Sequence, residues 1–514
     1  VAEARLPSEP DDRPEHDDRP FAVLDVGSNS ARMIVFRLRD GEHLDVIEDA
    51  RAPLRLAREL HTGPELGSAA IERALEALRD FRAVAEGAGA ADRIMAVATS
   101  AVRDALDGHL LLERARELGV PLQIIDGDTE GRLGFIGAVH DLPVTSGATL
   151  DVGGGSAEIS RFHDRRLHHT WMFELGSLRV SDRFLEEDPP TGSQIKRLRK
   201  HIAETIEEAG IEVLANGESL IGIGGTVRNL AKVDMHRTEH PLRLLHGYEL
   251  PADRLEVILS DLASKSMKRR ARISGLNPDR ADSVIGGAVV VLEVMSALGA
   301  DGVIVSSRGV REGLALGGPD ATVPPARWVR TISIATLSAR FATWDITAAE
   351  RRTAIATRLH DTLDPETRDA VREMLVHAST VLDVGRAIDY YDRFEHAAMI
   401  VTSADLGGFT HETLGILSAI LRQADDDIRL GPYQRLIEVD DRAAVLRAAT
   451  ALALADELKR RIPPELPAMI ACTWHPTAFV VEGPFPTGWR PRGVAERFRQ
   501  VFGRPLHVVS SRPA

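Results

Sequence analysis

Four carboxylates and three glycine-bearing turns hold the chemistry of this chain. The first turn is Leu24-Asp25-Val26-Gly27-Ser28-Asn29-Ser30, and the second is Leu150-Asp151-Val152-Gly153-Gly154-Gly155-Ser156-Ala157-Glu158. Each is a short apolar run that ends in Asp and continues into Gly, Ser or Asn. That pattern reads as a buried strand turning sharply at its end. Glycine lets backbone amides come close to a ligand, and successive N–H groups form a nest for an anion. The Asp then sets a carboxylate beside the anion, where a divalent cation is needed. Two such turns facing one another would grip one phosphate chain from both sides. A third turn, Ile221-Gly222-Ile223-Gly224-Gly225-Thr226-Val227-Arg228-Asn229-Leu230, is weak alone. In series with the others it adds Gly224, Gly225 and Thr226 as phosphate-binding residues.

Hydrolysis of a phosphoanhydride needs charge neutralisation, an aligned water and a base for its proton. Gly27, Ser28, Asn29, Ser30, Gly153, Gly154, Gly155 and Ser156 supply amide and hydroxyl donors. Arg32 and Arg103 are expected to reach phosphate oxygens, since the guanidinium fork suits them; surface ion pairing is the competing reading. Asp25 and Asp151 are candidates for Mg²⁺ (Mn²⁺ possible), directly or through water, because Mg²⁺ keeps several waters and takes few carboxylates. Glu130 is the best candidate base. It opens an expected helix after Asp126-Gly127-Asp128, and like charge nearby would push its pKa upward. A first-turn acid that only complements the helix dipole is the alternative. Glu158, on a strand leaving the second turn, could project toward the cleft or lie solvated on its strand. No Cys/His cluster suggests zinc.

These groups need a scaffold. Residues 1–20 carry acids, Arg and Pro without periodicity and read as a disordered tail. Residues 21–141 alternate strand and helix, with strands expected at 21–26, 32–37, 94–98 and 122–125. Ile71, Leu75, Leu78 and Phe81 recur at helical spacing. Residues 142–319 repeat the theme, with strands at 148–152, 220–223 and 303–305. A duplicated α/β domain follows, with its ligand between the halves, off the strand ends. Gly317-Gly318-Pro319 to Pro324-Pro325 is a linker signal. Residues 326–461 read as helices, and 462–514 as a small α+β module with strands at 468–473 and 478–482 and a helix at 494–502.

The chain has 514 residues and a net charge of −14. The charge argues against general nucleic-acid binding, which wants a basic footprint, but leaves room for a local basic groove. No apolar run reaches the ~18 residues of a membrane span; the longest, Val284 to Leu292, stops at Glu293. The N-terminus lacks a secretory apolar segment. The single cysteine, Cys472, suits a reducing compartment, so a cytoplasmic protein without membrane or nucleic-acid partners is expected.

The three turns resemble those of the exopolyphosphatase and guanosine pentaphosphate phosphohydrolase family. Further matches are Thr99-Ser100-Ala101-Val102-Arg103-Asp104-Ala105, Glu130-Gly131-Arg132-Leu133, His246-Gly247-Tyr248 and Ser306-Ser307-Arg308-Gly309-Val310-Arg311-Glu312-Gly313. The resemblance implies an α/β fold of two actin-like, ribonuclease-H-like domains with a cleft between them, then a mostly helical domain and a small α+β module. It implies Glu130 as the catalytic glutamate and gives Glu158 water orientation or a metal role. It implies inorganic polyphosphate or guanosine pentaphosphate as substrate, and a homodimer. Transfer from ATP to an acceptor, as in the related sugar kinases, and an idle sensor are the rival readings. The helical part is similar to metal phosphohydrolases with the metal ligands broken: Leu382 precedes Asp383 where a His-Asp pair needs His. Two smaller departures, Asp126-Gly127 for Ser-Gly and Asp107 for Asn, could tune metal or chain-length preference. Two basic clusters, Lys265 to Arg272 and Arg490 to Arg512, are candidates for holding a long substrate.

Overall fold

The computed structural model of the chain describes residues 19–39, 43–425 and 430–511. The expected tail therefore lies, apart from Arg19 and Pro20, outside the described residues, as does Arg512. The chain divides into two compact units, Val1–His240 with Leu244–Val329, and Pro241–Arg243 with Arg330–Ala514.

The first unit holds two sheets. One is built from β1 (Phe21–Val26), β2 (Ser30–Arg39), β3 (His43–Pro53), β4 (Ile94–Ala98) and β5 (Leu122–Ile124), in the order β3-β2-β1-β4-β5. The other comprises β6 (Gly147–Val152), β7 (Ala157–His163), β8 (Arg166–Phe173), β9 (Ser219–Ile223), β10 (Tyr248–Pro251) and β11 (Gly302–Val305), in the order β10-β11-β9-β6-β7-β8. Without the edge strand β10, the second order repeats the first. In both, the central strand pairs antiparallel with the next strand and parallel with the one after a helical crossover. The duplication expected from the two Asp-x-Gly turns is thus present in the topology.

Burial explains the strands. β1 and β6 are apolar and almost wholly buried, as central strands covered on both faces must be. The helix Gly67–Gly87 puts Ile71, Leu75, Leu78 and Phe81 into the first core, beside Leu24 and Met33. The apolar run from Val284 opens the helix Val284–Leu298, buried in the second core. Among the described residues no helix is long and apolar enough to cross a membrane. Strands β3, β8 and β10 were not anticipated. β3 and β8 are charged or His-rich and largely exposed, because edge strands keep polar side chains, which hides their period.

The second unit packs the helices Ile346–Leu363, Asp369–Val381, Arg393–Ser403, His411–Gln423 and Asp441–Lys459. Leu382 and Asp383 lie in the short turn after the second of these, both buried. The carboxylate takes a guanidinium. Arg352, fully buried, donates from Nη1 to Asp383 at 2.9 Å and to Asp456 at 3.2 Å, and from Nε to the Ser379 carbonyl at 2.8 Å. Arg393 donates to the other oxygen of Asp456 at 3.0 Å. Burial opposes ionisation of Asp456, but Arg352 and Arg393 outweigh it and hold its carboxyl below the ordinary value. Arg352→Ala takes the hydrogen-bonding guanidinium from buried Asp383 and one of the two from buried Asp456, so a loss of about 3–5 kcal/mol is expected in denaturant unfolding; a loss below ~1 kcal/mol would show that the pairing does not support this core. A separate exposed group, Asp389, Asp392 and His396, brings its ligand atoms within 4.8 Å of one another.

A three-stranded sheet closes the unit: β12 (Ala471–Trp474), β13 (Phe479–Gly483) and β14 (Leu506–Ser510), with the helix Arg492–Phe502 between the last two. Phe479 stacks on Phe498 at 5.3 Å. β14 escaped notice because only Leu506 of its five residues is buried. Cys472 is half-buried and free, its thiol pushed up to about 11 by burial. Parts of both basic clusters have internal partners. Lys265 pairs with Asp261, and buried Arg270 with Asp188 and the Ala281 carbonyl. Arg497 donates to the Asp425 carbonyl, and Arg499 pairs with Glu496.

Candidate active site

The duplicated strands build two matching halves of one pocket. In the first half, Asp25 stands opposite Arg32 across the β1–β2 ladder; in the second, Asp151 stands opposite Glu158 across β6–β7. The turns close alike. The Gly27 N–H donates to the Ser30 carbonyl at 3.2 Å, and the Gly153 N–H to the Ser156 carbonyl at 3.0 Å. Equivalent positions therefore carry a cation in one domain and a carboxylate in the other.

Neighbouring segments hold each turn. Ser28 Oγ lies 2.6 Å from Ser100 Oγ, and the Asn29 carbonyl accepts from Leu54 N and Arg55 N. The Gly153 carbonyl accepts from both the amide and the hydroxyl of Ser177. The third turn follows β9. Gly224 has φ +80°, and a Cβ there would sit 2.3 Å from Asp151 Oδ1, so only glycine fits both the left-handed backbone and the close approach. Glu130 is in the first turn of the helix Gly127–His140, capped by Asp126, which accepts from Thr129 N at 2.8 Å.

Together these elements line a pocket of about 120 Å³. It gathers Asp25, Gly27, Ser28, Asn29, Ser30 and Arg32 from the first turn, and Asp151, Gly153, Gly154, Ser156 and Glu158 from the second. Glu130, Gly224 and Gly225 join them. Three expected residues lie outside this lining. Thr226 turns its hydroxyl to the Val152 carbonyl at 2.8 Å, and Gly155 sits behind the turn against Ser28 and Ser100. Arg103 faces Glu130 instead of lining the pocket: its Nη1 reaches the Ile125 carbonyl at 2.9 Å and Glu130 Oε2 at 3.3 Å. Asp107 is a scaffold group, accepting from Leu66 N and Gly67 N.

Thr99, Ser100, Arg228, Arg280, Arg311 and Glu312 also line the pocket, and sequence reasoning assigned them no role. Arg228 and Arg311 stand inside quoted motifs. Arg280 had no signal, because the fold alone brings its segment to Gly225.

The pocket is electrostatically divided. Burial first, then Glu130 and Asp151, push the Glu158 carboxyl well above its ordinary value. Burial raises Asp25 to about 6, opposed by Arg311 and Arg32. Glu130 is pushed up to about 8 by burial and Asp25, against the pull of Arg103. Asp151 is raised by burial too. On the other side, burial and the neighbouring cations Arg228 and Arg311 bring Arg32 down to about 9. Asp25 Oδ1 and Glu158 Oε1 are buried with no hydrogen-bond partner. Carboxylate oxygens buried without a partner are costly; a divalent cation would answer them, as a phosphate would answer the guanidiniums that face them.

The pattern of the Ppx/GppA phosphatase family matches residues 34–319, and that of the family's domain III matches residues 329–491. The chain belongs to the Ppx/GppA phosphatase family. Exopolyphosphatase 1 of Mycobacterium tuberculosis is 29% identical over 331 residues, covering 62% of this chain and 93% of the relative. Exopolyphosphatase 2 of the same organism is 29% identical over 313 residues, covering 57% and 97%. Among solved structures, the Aquifex aeolicus Ppx/GppA member is 24% identical with a TM-score of 0.51, covering 58% of this chain and 96% of that one. An exopolyphosphatase from Cytophaga hutchinsonii is 22% identical with a TM-score of 0.53, covering 58% and 96%. Both structures share the two-sheet fold of the first unit.

Proposed function

We propose that this protein is an exopolyphosphatase, releasing terminal orthophosphate from linear inorganic polyphosphate. The observation that carries the reading is the divided pocket, with desolvated carboxylates facing guanidiniums across two anion-holding turns. Names of the family's members support the same chemistry.

The residues divide the work. Amides and hydroxyls of the two turns, with Arg32, hold the terminal phosphoryl group. Glu130 takes a proton from water as the water oxygen bonds to the end phosphorus. The bond from that phosphorus to the bridging oxygen breaks, and the shortened chain leaves with the oxygen. Arg103 holds the Glu130 carboxylate in place. Asp25, Asp151 and Glu158 suit Mg²⁺ or Mn²⁺, since two of them present orphaned oxygens and hard cations take oxygen ligands. When bound, such an ion neutralises charge on the phosphate oxygens.

Phosphate release from long polyphosphate, guanosine pentaphosphate and ATP, measured side by side, tests the proposal. Release from polyphosphate is expected to dominate. Release from nucleotide alone would make the protein a guanosine pentaphosphate phosphohydrolase, and transfer from ATP to an acceptor would make it a kinase.

A further inference from the structure

The cleft continues beyond the pocket that holds the carboxylates. A second pocket of about 540 Å³ shares Arg32, Gly225 and Arg228 with the first and adds Arg51, Lys232, Asn229 and Asn277. Among the described residues, no acid and no aromatic ring lines this extension.

Its cations are arranged at a cost. Arg51 on β3 stands directly opposite Arg32 on β2, and like charges facing across a ladder destabilise a sheet. Lys232 follows Arg228 by four residues on the helix Gly224–Arg237, and like charges at that spacing destabilise a helix. Two separate elements thus bring unfavourable pairs to one hollow. Among the described residues, the side chains of Arg32, Arg51 and Lys232 make no hydrogen bond or ion pair. Partial desolvation and its cationic neighbours Arg228, Arg32 and Arg51 hold the Lys232 ammonium below its ordinary value. The amides are less free: Asn229 bonds the Gly225 carbonyl at 2.6 Å and accepts from Asn277 N at 2.8 Å, which fixes the floor.

We propose that Arg51 and Lys232 form a distal subsite that holds further phosphates of the same polyphosphate chain whose end lies at Glu130. This rests on the exopolyphosphatase reading. The chain leaves the catalytic pocket past Arg32 and Arg228, and its next phosphates pass between β3 and the Gly224–Arg237 helix. A purine would find no ring to stack on there, whereas a repeating anion meets a cation at each step. The subsite selects length and disfavours a nucleoside end.

Arg51→Gln, Lys232→Gln and the double variant test this, with tripolyphosphate and long-chain polyphosphate as probes. For the long chain, each substitution is expected to raise KM about tenfold, as for loss of one charged hydrogen bond, with kcat kept. Its salt dependence becomes shallower, because fewer counterions are exchanged. The KM for tripolyphosphate moves much less, and Arg51→Lys restores most of the long-chain KM. Both side chains are exposed, so the variants fold; removal of like-charge pairs leaves the Tm equal or higher. Equal effects on both lengths, or none on either, would overturn the subsite. Direct titration of long-chain polyphosphate into wild type and double variant separates this from the parent reading. Undiminished affinity in the variant overturns the subsite whatever the activity. Weakened affinity in a protein that releases no phosphate keeps the subsite and removes the hydrolase assignment.

Discussion

Glu130→Gln is expected to lower kcat for phosphate release by about 10²–10⁴, the usual contribution of a general base. The amide keeps the shape of the side chain but cannot take the proton from water. KM should stay level or fall, because a negative charge has left the neighbourhood of a polyanion. The pH profile gives a second readout. The base is the unprotonated carboxylate, and in the protein alone its pKa is pushed up to about 8, by burial and then by Asp25. Activity is therefore lost as pH falls through the pKa of Glu130 in the working enzyme. A bound cation stabilises the carboxylate form and moves that acidic limb to lower pH. In Glu130→Gln the limb should vanish from the residual rate. A variant with near wild-type kcat and an unchanged limb would transfer the role to Glu158, a second desolvated glutamate of the pocket. Arg103→Gln makes a milder companion: without the guanidinium 3.3 Å away, the Glu130 pKa rises and the limb moves to higher pH.

Legibility of the fold and site followed the strength of local patterning. Central strands such as β1 and β6 are short apolar runs ended by Asp-x-Gly, and their positions could be read directly. So could the helix-opening place of Glu130, because Asp126 is a strong N-cap. Edge strands β3 and β8 could not, since one exposed face and many charges erase the alternation. The same blindness hid Arg51, which only the β2–β3 register sets beside Arg32. Arg280 is similar: it lies far along the chain at the end of a single 3₁₀ turn, Pro278–Arg280, and nothing local marks it as a pocket residue. Arg103 shows the opposite limit. Its residue type suggested a phosphate contact, but direction is a matter of packing, and here the side chain points at Glu130 and the Ile125 carbonyl. Thr226 sits in a glycine turn for a similar reason of fit, with its hydroxyl spent on the Val152 carbonyl. In the second unit the missing His at Leu382 was legible. The guanidinium that partners Asp383 was not, because Arg352 lies 31 residues away.

Mg²⁺ is expected to stabilise the wild-type protein, and more strongly at pH 8 than at pH 5.5. Asp25 and Glu130 have folded-state pKa values raised to about 6 and about 8, and Glu158 and Asp151 are raised as well. A carboxyl with a raised pKa binds its proton more tightly folded than unfolded. Without metal, the contribution of these groups to stability is then greatest below the ordinary carboxyl range and falls as pH rises from there through the raised values, by a few kcal/mol in order of magnitude. A divalent cation binds the unprotonated carboxylates of the folded state, so it offsets a penalty that is small at pH 5.5 and large at pH 8. At a hundred times Kd the gain is about 2.7 kcal/mol, several degrees in Tm for the first unit. Glu158→Gln separates the ion from the charge. The metal-free Tm should hold or rise, because an amide replaces a carboxyl already forced toward its neutral form by burial, Glu130 and Asp151. The Tm increase on adding Mg²⁺ should shrink, and activity should drop with it. Thermal unfolding at both pH values, with and without Mg²⁺, reads all of this without any turnover assay. An equal Mg²⁺ response in wild type and Glu158→Gln would remove Glu158 from the ion's ligands and leave Asp25 and Asp151 to hold it.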